Sequence, residues 1–264
     1  MLLLANLNPM FTLSVITINR NNVLGLQQTM TSVLRQVNKL ASTHLQYIVV
    51  DGASTDGSQE IIKTLLQQKK ELTALWVSEP DTGIYNAMNK GLSLATGDYC
   101  LFLNSGDILA TDDALWQVER YMEANKFAAD IYYADAEFSN SQGNVQRVYP
   151  DRLSLDFFYY DSLCHQAIFY KRELLLSLGG YDEKYRLIAD WVMNIQLFRK
   201  GFTFCHMPIL TTIYDTKGMT SGTDGYEKCR KERNQYYQLH GLKFIHICMW
   251  IQRKYNQWKQ RIQL

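Results

Sequence analysis

Four short apolar runs, each followed by a polar loop, constrain the fold of this chain more than any other feature. The runs at 13–18, 47–50, 75–78 and 99–103 are rich in β-branched and aromatic side chains, which favour strands. Helical periodicity follows the first three runs. The run at 99–103 is apolar throughout, which is typical of a strand buried on both faces. This alternation predicts an α/β fold with a doubly wound, mostly parallel sheet.

Each predicted strand ends in a loop that carries carboxylate or amide side chains. These loops contain Asn19–Asn22, Asp51–Asp56, Asp81 and Asn104–Asp107. Because the carboxyl ends of parallel strands meet at one edge of a sheet, we expect the four loops to line one ligand-binding crevice. Asp107 offers the hard oxygen ligands that Mg²⁺ and Mn²⁺ prefer. Ordinary solvated loops and helix caps are the alternative interpretation.

The pattern changes in the second half of the chain, where a hairpin replaces the alternation of strand and helix. We predict a helix over 114–124, a hairpin that pairs 131–138 with 145–149, a strand over 165–170, a helix that begins at 188–191 and a strand over 204–213. This half is expected to complete the sheet and to form the wall that faces a second substrate.

Charge is distributed unevenly although the net charge is only +1. Residues 217–264 hold ten Lys and Arg against three acids, so the rest of the chain is acidic. The near-neutral total gives no reason to expect nucleic acid as a partner. Residues 241–264 contain no acid and mix Lys and Arg with aromatic side chains, which predicts an amphipathic helix in contact with an anionic membrane surface. A helix docked on the body or on a second subunit is the alternative.

The chain shows no sign of secretion or of a zinc site. Its five cysteines are scattered and lack metal-ligand spacing, which favours reduced thiols and a cytoplasmic location. Peripheral attachment to the inner face of the cytoplasmic membrane is compatible with that location. No apolar run is long enough to span a bilayer as a helix. No glycine-rich phosphate loop occurs, so phosphate binding would depend on a metal and on loop amides.

Six segments, in this order and spacing, resemble family 2 glycosyltransferases with the GT-A fold, especially bacterial enzymes that build surface polysaccharides. The segments are Ser14–Thr17 with Asn19, Val49–Gly57, Asp81–Gly91, Leu103–Asp107, His165 with Gln166, and Ala189–Trp191. The resemblance covers residues 11–222. It implies a mostly parallel central sheet flanked by helices, with a nucleotide-sugar half at 11–107 and an acceptor half at 108–222. A basic helical tail at 223–264 would follow this GT-A domain.

The resemblance also implies roles for the residues of the nucleotide-sugar half. Asp51 would hydrogen-bond the nucleobase, and Thr17 and Asn19 would lie around the base and the ribose. Asp81 and Lys90 would line the nucleotide pocket.

The loop after the fourth strand is similar to the Asp-x-Asp metal motif of the family. Ser105 stands at the first position of that motif, so Asp107 would be the main ligand of Mn²⁺ or Mg²⁺. Asn104 and Ser105 would contact the nucleotide sugar. Asp190 stands where the family carries its catalytic base, although a helix N-cap is the alternative for this residue.

Three further residues are candidates for the acceptor side. Asp135 would face the acceptor, or it would close the hairpin. His165 would belong to the site, or it would be a core histidine. Trp191 would form a wall of the acceptor pocket, or it would belong to the core, while Tyr85 is expected to pack its helix.

The resemblance implies an inverting glycosyltransferase in cell-surface polysaccharide biosynthesis, such as that of lipopolysaccharide. It would move a sugar from a nucleotide-diphosphate donor, with UDP as the first choice, to a saccharide or lipid-linked acceptor. A non-catalytic nucleotide-binding scaffold of the same fold is one alternative. A sugar-phosphate nucleotidylyltransferase is another, but it would need a glycine-rich basic loop after the first strand, where Arg20 stands alone.

Overall fold

A computed structural model describes residues 12–40, 44–69, 72–140, 143–216 and 222–242, together with residues 247, 248, 251, 254, 255 and 258. The chain divides into two compact units, Met1–Thr216 and Lys217–Leu264. The division falls six residues before the tail boundary that the sequence predicts.

The first unit contains nine strands and seven helices within the described residues. The strands are β1 (Thr12–Asn19), β2 (His44–Asp51), β3 (Thr73–Ser78), β4 (Tyr99–Phe102), β5 (Ile108–Leu109), β6 (Ile131–Asn140), β7 (Gly143–Arg147), β8 (Ile168–Lys171) and β9 (Phe204–Asp215). The helices are α1 (Val23–Gln36), α2 (Ser58–Gln67), α3 (Ile84–Leu94), α4 (Ala114–Ala124), α5 (Leu155–Tyr160), α6 (Arg172–Ser177) and α7 (Ala189–Arg199).

The strands form one sheet in the order β3-β2-β1-β4-β8-β6-β9-β5, with β7 paired to β6. Strands β1 to β4 run parallel to one another, as the alternation of strand and helix predicts. The second half is mixed, since β8 is antiparallel to both β4 and β6, whereas β6 and β9 are parallel. The predicted α/β class with a mostly parallel sheet flanked by helices is confirmed.

Strands β1 and β4 lie at the centre of the core because helices cover both faces of the sheet there. Val15, Ile16, Leu101 and Phe102 have no exposed surface. Gly91 lets α3 pack closely, because a Cβ atom at this position would lie 2.3 Å from Cγ2 of Ile16. This close packing fixes α3, and with it the loop that precedes α3, against the central strands.

The predicted strand over 165–170 is partly wrong. Residues His165–Ala167 form a 3-10 turn, and strand β8 begins only at Ile168. The turn closes through a hydrogen bond from the Ala167 amide to the Cys164 carbonyl. Because the backbone turns here, His165 is not part of the sheet's alternating pattern of side chains.

The second unit contains helix α8 (Gly222–Leu239). The predicted amphipathic helix over 241–264 lies largely outside the described residues, but those of its residues from 247 onward that are described are helical. None of the helices in the described part of the chain is long and apolar enough to cross a membrane.

Candidate active site

The parallel strands β1, β2, β3 and β4 bring their carboxyl ends to one edge of the sheet. Asn19 pairs in register with Asp51, and Asp51 pairs with Ser78. The loop after β4 continues along β1, since the Ser105 amide donates to the Ile18 carbonyl at 3.0 Å. The polar loops of the first half therefore lie side by side.

The buried Asp51 carboxylate bonds three residues together at this edge of the sheet. Its Oδ1 accepts from Nδ2 of Asn19 at 2.9 Å, and its Oδ2 accepts from the Ser54 amide at 2.9 Å and from the Ser78 hydroxyl at 2.7 Å. Burial acts to raise the pKa of Asp51, but these hydrogen bonds outweigh it and hold the pKa below the ordinary value. Asp51 has no exposed surface, so the expected direct contact with a nucleobase is not what this conformation presents.

Thr17 lies near the carboxyl end of β1. Its side chain is fully buried and accepts a hydrogen bond from the Tyr47 hydroxyl at 3.0 Å, and its place around the base and the ribose stays a prediction. Asn19 is nearly buried, and its Nδ2 also contacts the Ser54 hydroxyl at 3.2 Å. Its Oδ1 has no hydrogen-bond partner within the described residues. A buried acceptor without a partner at a strand end suits an N–H donor of a ligand.

Asp81 and Lys90 are held near each other around the connection between β3 and α3. Asp81 lies 3.6 Å from the guanidinium of Arg20. Gly52 makes room for Asp81, because a Cβ atom at Gly52 would lie 2.2 Å from Asp81 Oδ2. The Lys90 ammonium is held by Glu79 at 2.7 Å and by the Pro80 carbonyl at 2.8 Å, so in this conformation it braces the loop.

Asp107 is buried at the end of the loop after β4. Its Oδ1 accepts from the Asp215 amide at 3.0 Å, and its Oδ2 accepts from Nε2 of Gln166 at 2.8 Å. Burial raises the pKa of Asp107 to about 6, although these hydrogen bonds act in the other direction. No Lys or Arg of the described residues forms an ion pair with it. The site therefore holds a desolvated carboxylate that lacks a protein cation.

A divalent cation fits this donor set. Gly106 has a φ of +108°, and a Cβ atom there would lie 3.4 Å from Asp215 Oδ2, so the Asp215 carboxylate stands beside the loop. The Ser105 hydroxyl is next to it, 3.4 Å from Asn22 Nδ2. The described residues contain no group of three or more His, Cys, Asp or Glu side chains that could hold a metal. Two carboxylates suit a metal that takes its other ligands from phosphates and water, as Mg²⁺ usually does.

Asp190 lies in the first turn of α7. Its Oδ1 accepts from the Tyr85 hydroxyl at 2.7 Å, and its Oδ2 faces Nδ1 of His165 at 3.2 Å. Burial acts to raise the pKa of Asp190, but the bonds from His165 and Tyr85 outweigh it and hold the pKa below the ordinary value. Asn104 extends the chain of contacts, with its Nδ2 3.1 Å from His165 Nε2. The side chain of Asp190 remains 17% exposed, so an ionised carboxylate is accessible here.

Two of the candidates for the acceptor side are buried and bonded to other parts of the second half. Asp135 is buried at a bulge of β6, where its Oδ1 meets His206 Nε2 at 2.9 Å and accepts from the Tyr149 amide at 3.0 Å. Trp191 is buried, and its indole donates to the Phe158 carbonyl at 2.6 Å. Both side chains hold the second half together, because their polar atoms are satisfied internally. These contacts match the alternatives that the sequence left open, a hairpin position for Asp135 and a core position for Trp191, and the predicted acceptor contacts stay predictions.

The structure adds three residues to the site. Tyr85, which the sequence assigned to helix packing, touches the Asp190 carboxylate; Gln166 and Asp215 flank Asp107. Asp215 could have been found by the rule that located Asp107, since it is a carboxylate at the end of a strand. Tyr85 begins α3 directly after the loop that contains Asp81, so its position was also a signal.

Comparison with known proteins identifies the family. The sequence model of Glycosyl transferase family 2 matches residues 14–177. The chain belongs to this family. It is 31% identical over 217 residues to the "PGL/p-HBAD biosynthesis glycosyltransferase" of Mycobacterium bovis, across 81% of this chain and 80% of that protein. It is also 31% identical to an uncharacterized glycosyltransferase of Mycobacterium tuberculosis, across 68% of this chain and 66% of that protein.

Solved structures of glycosyltransferases share the fold of this family 2 member. S. aureus TarS aligns with a TM-score of 0.64 at 18% identity, over 86% of this chain and 40% of the TarS chain. The mannosyltransferase PcManGT from Pyrobaculum calidifontis, solved with GDP-Man and Mn²⁺, aligns with a TM-score of 0.62 at 18% identity, over 88% of this chain and 64% of that chain. The chain has the GT-A fold of these structures, and its membership of Glycosyl transferase family 2 makes it a transferase enzyme.

Proposed function

We propose that this family 2 member is an inverting glycosyltransferase with Asp190 as its general base and a nucleotide-diphosphate sugar as its donor. The observation that carries the proposal is the environment of Asp190. It is an ionised carboxylate, partly exposed and held on both oxygens, and Asn104 and His165 link it to the loop that contains Asp107. Bases in group transfer need this combination of charge, access and fixed orientation.

The proposed reaction is a single displacement. The acceptor hydroxyl oxygen attacks the anomeric carbon while the bond from that carbon to the diphosphate oxygen breaks. The hydroxyl proton passes to Asp190, and the nucleoside diphosphate leaves with the electron pair. One attack from the face opposite the leaving group inverts the anomeric centre, so no protein nucleophile is required.

Asp107 and Asp215 are the residues that would hold a divalent cation. Such a cation, when bound, would neutralise the negative charge that develops on the diphosphate. Mn²⁺ in the structure of PcManGT supports this choice of cofactor, and Mg²⁺ suits the same oxygen ligands.

A UDP-sugar is the proposed donor. Structures of TarS with UDP and with UDP-GlcNAc are among the structural neighbours, whereas the mannosyltransferase was solved with GDP-Man. The unpartnered Oδ1 of Asn19 supports an N–H donor on the base, which uracil and guanine both carry. The acceptor is proposed to be a saccharide or a lipid-linked saccharide of the cell surface.

We also propose that residues 241–264 rest on an anionic membrane surface. Ile247, Ile251, Tyr255 and Trp258 are each more than half exposed, and their spacing places them on one side of a helix. The segment contains five Lys and Arg and no acid, which complements anionic lipid headgroups. Apolar and aromatic side chains with flanking cations are the composition of a helix that lies in the membrane interface.

Vesicle binding tests the membrane proposal. The full chain should sediment with phosphatidylglycerol vesicles and much less with phosphatidylcholine vesicles, and high salt should weaken the binding. The double variant Ile251→Asp with Trp258→Asp should lose binding. Val145→Asp with Val148→Asp is the matched control, because it adds the same charge at two exposed apolar positions of the first unit. A concentration-dependent dimer without vesicle binding would contradict the proposal.

The donor proposal is tested by thermal unfolding of the purified protein with UDP, GDP, CDP, ADP and dTDP. Each nucleotide is added with Mn²⁺ and, separately, with EDTA. We expect the largest increase in Tm with UDP, and only in the presence of metal, because ligands that bind the folded state stabilise it. If no nucleotide changes the Tm at millimolar concentration, the crevice is not a donor site.

A further inference from the structure

The candidate base does not stand alone: three side chains from distant parts of the sequence surround it. Tyr85 comes from the start of α3, His165 from the 3-10 turn before β8, and Asn104 from the loop after β4. Tyr85 and His165 each contact a different oxygen of Asp190. We refer to Asn104, His165 and Tyr85 as the Asp190 clamp.

We propose that the Asp190 clamp consists of positioning residues that keep the base oriented and ionised. The inference rests on the proposed function, since it presupposes that Asp190 is the base. None of the three needs to touch the reacting atoms. Each acts through Asp190 or through the neighbouring member of the clamp.

The hydrogen-bond geometry assigns the proton of His165. Asn104 presents its Nδ2 to His165 Nε2, so Nε2 accepts and Nδ1 carries the proton toward Asp190. Rotating the Asn104 amide by 180° would turn its Oδ1 toward His165 Nε2. Nε2 would then need a proton to donate to Oδ1, in addition to the proton on Nδ1. Nδ1 remains a donor to the carboxylate in both orientations, so the contact with Asp190 does not depend on which amide orientation is present.

Tyr85 is the second hydrogen-bond donor to the Asp190 carboxylate. Its hydroxyl donates to Asp190, and burial together with the nearby Asp190 charge raises its pKa well above the ordinary value. The phenol therefore stays protonated as a donor. It packs against Tyr181 at a ring-centroid distance of 5.5 Å, which fixes the ring.

The two tyrosines and the cysteine nearest the clamp do not change charge near neutral pH. Burial raises the pKa of Tyr170, Tyr181 and Cys164, so all three remain neutral there. Asp107 is a nearby carboxyl that does titrate close to this range, because burial raises its pKa to about 6. A change in the protonation of Asp190 is governed mainly by its two direct donors.

The sign of the expected pH effect follows from these contacts. Hydrogen bonds to a carboxylate favour its charged form, so removal of a donor raises the pKa of Asp190. The base then becomes protonated at a higher pH. The acid limb of the pH–rate profile should move upward in Tyr85→Phe and in His165→Ala.

The first test is ¹⁵N NMR of the imidazoles in the full chain labelled on histidine, at pH 8 and without ligand. The chain has five histidines, and the signal missing in His165→Ala identifies His165. We expect a protonated Nδ1 in the wild type. Asn104→Ala should move the Nε2 signal and leave Nδ1 protonated. An unprotonated Nδ1 would overturn the proposal, whichever donor or acceptor the enzyme uses.

The second test is the pH profile of UDP-sugar hydrolysis with Mn²⁺, measured as UDP release, with UDP-Glc and UDP-GlcNAc as probes. Tyr85→Phe and His165→Ala should lower kcat about 10-fold or more, leave the KM for the donor within about 2-fold, and shift the acid limb upward. His165→Asn retains a donor in the place of Nδ1 and should bring the acid limb back toward the wild-type position. A merely structural role would lower Tm without moving the limb.

The two tests separate the inference from the function on which it rests. If Asp190→Asn hydrolyses the donor at the wild-type rate, Asp190 is not the base and the proposed function fails. If Asp190→Asn is inactive but Tyr85→Phe and His165→Ala keep the wild-type acid limb and kcat, only the clamp fails.

Discussion

The two halves of the first unit hold their functional residues in different ways. In the nucleotide-sugar half, Asn19, Asp51 and Ser78 are neighbours in register at the ends of parallel strands. In the acceptor half, Asp190 meets His165 across 25 residues and Tyr85 across 105 residues. The register of parallel strands is enough to bring Asn19, Asp51 and Ser78 together, whereas the surroundings of Asp190 depend on specific long-range contacts. Variants can be chosen that break one arrangement and leave the other intact.

The largest effect is expected from Asp190→Asn in the acceptor half. The amide cannot accept the hydroxyl proton, so turnover should fall by about 10²–10⁴-fold, the usual contribution of a positioned acid or base. Nucleotide binding, measured by the Tm increase with UDP and Mn²⁺, should stay unchanged because the strand ends of the other half are untouched. Wild-type turnover in this variant would contradict the assignment of the base.

Asp107→Asn, in the loop after β4, is expected to affect nucleotide binding, which Asp190→Asn leaves unchanged. The Tm increase that depends on both nucleotide and metal should disappear, which corresponds to about 2.7 kcal/mol for a ligand at 100 times its Kd. The stability of the metal-free protein should change little, because the loss of a buried charge without a protein cation offsets the loss of one of the two hydrogen bonds that Asp107 accepts.

Asp112→Asn is the matched control for Asp107→Asn, since Asp112 is an exposed carboxylate in the next connection, between β5 and α4. It should leave both the metal-free stability and the metal-dependent Tm increase unchanged. A metal-dependent increase that survives in Asp107→Asn and is lost in Asp215→Asn would assign the metal to Asp215 instead.

Stability of the acceptor half is expected to depend on one of the two carboxylates that flank His206. Asp135→Ala leaves the buried Tyr149 amide and His206 Nε2 without their partner and should cost about 1–3 kcal/mol. Asp151→Ala removes the carboxylate on His206 Nδ1, but that side chain is 90% exposed, so the change should stay within about 0.5 kcal/mol. Urea denaturation measures both, and equal losses would contradict this account.

A smaller effect is expected from Gly91→Ala, which tests the packing of α3 on the central strands. Overpacking against Ile16 lowers the free energy of unfolding by about 1–3 kcal/mol, and the higher helix propensity of alanine offsets about 1 kcal/mol of that loss. Ser93→Ala, an exposed position of the same helix, should be neutral or slightly stabilising. A higher Tm for Gly91→Ala than for Ser93→Ala would show that α3 is not packed as described.

The sequence predicted the nucleotide-sugar half well because its rules are local. Apolar runs, turn residues and helical periodicity located β1 to β4, and parallel strands then required the loops with Asp51, Asp81 and Asp107 to lie together. These rules do not predict how deeply a side chain at a strand end is buried. Thr17 and Asp51 were expected to contact a nucleotide, yet both are buried by neighbours that come from other strands.

The acceptor half was less predictable because its contacts depend on register and on turns between distant segments. A bulge in β6 turns Asp135 toward His206, and a 3-10 turn takes His165 out of its expected strand. The contact between Tyr85 and Asp190 joins the two halves, and no periodicity in either segment indicates it. The family resemblance predicted a role for Asp190 in the site, but only the structure shows which side chains bond its carboxylate.

The most direct test of the central claim is the stereochemistry of sugar release. The nucleotide sugar that gives the largest metal-dependent Tm increase is incubated with the full chain, and ¹H NMR follows the first anomer of the released sugar. An α-linked donor should yield the β anomer first, and Asp190→Asn should yield none above the uncatalysed rate. Initial release of the α anomer would contradict a single displacement by an acceptor that Asp190 deprotonates.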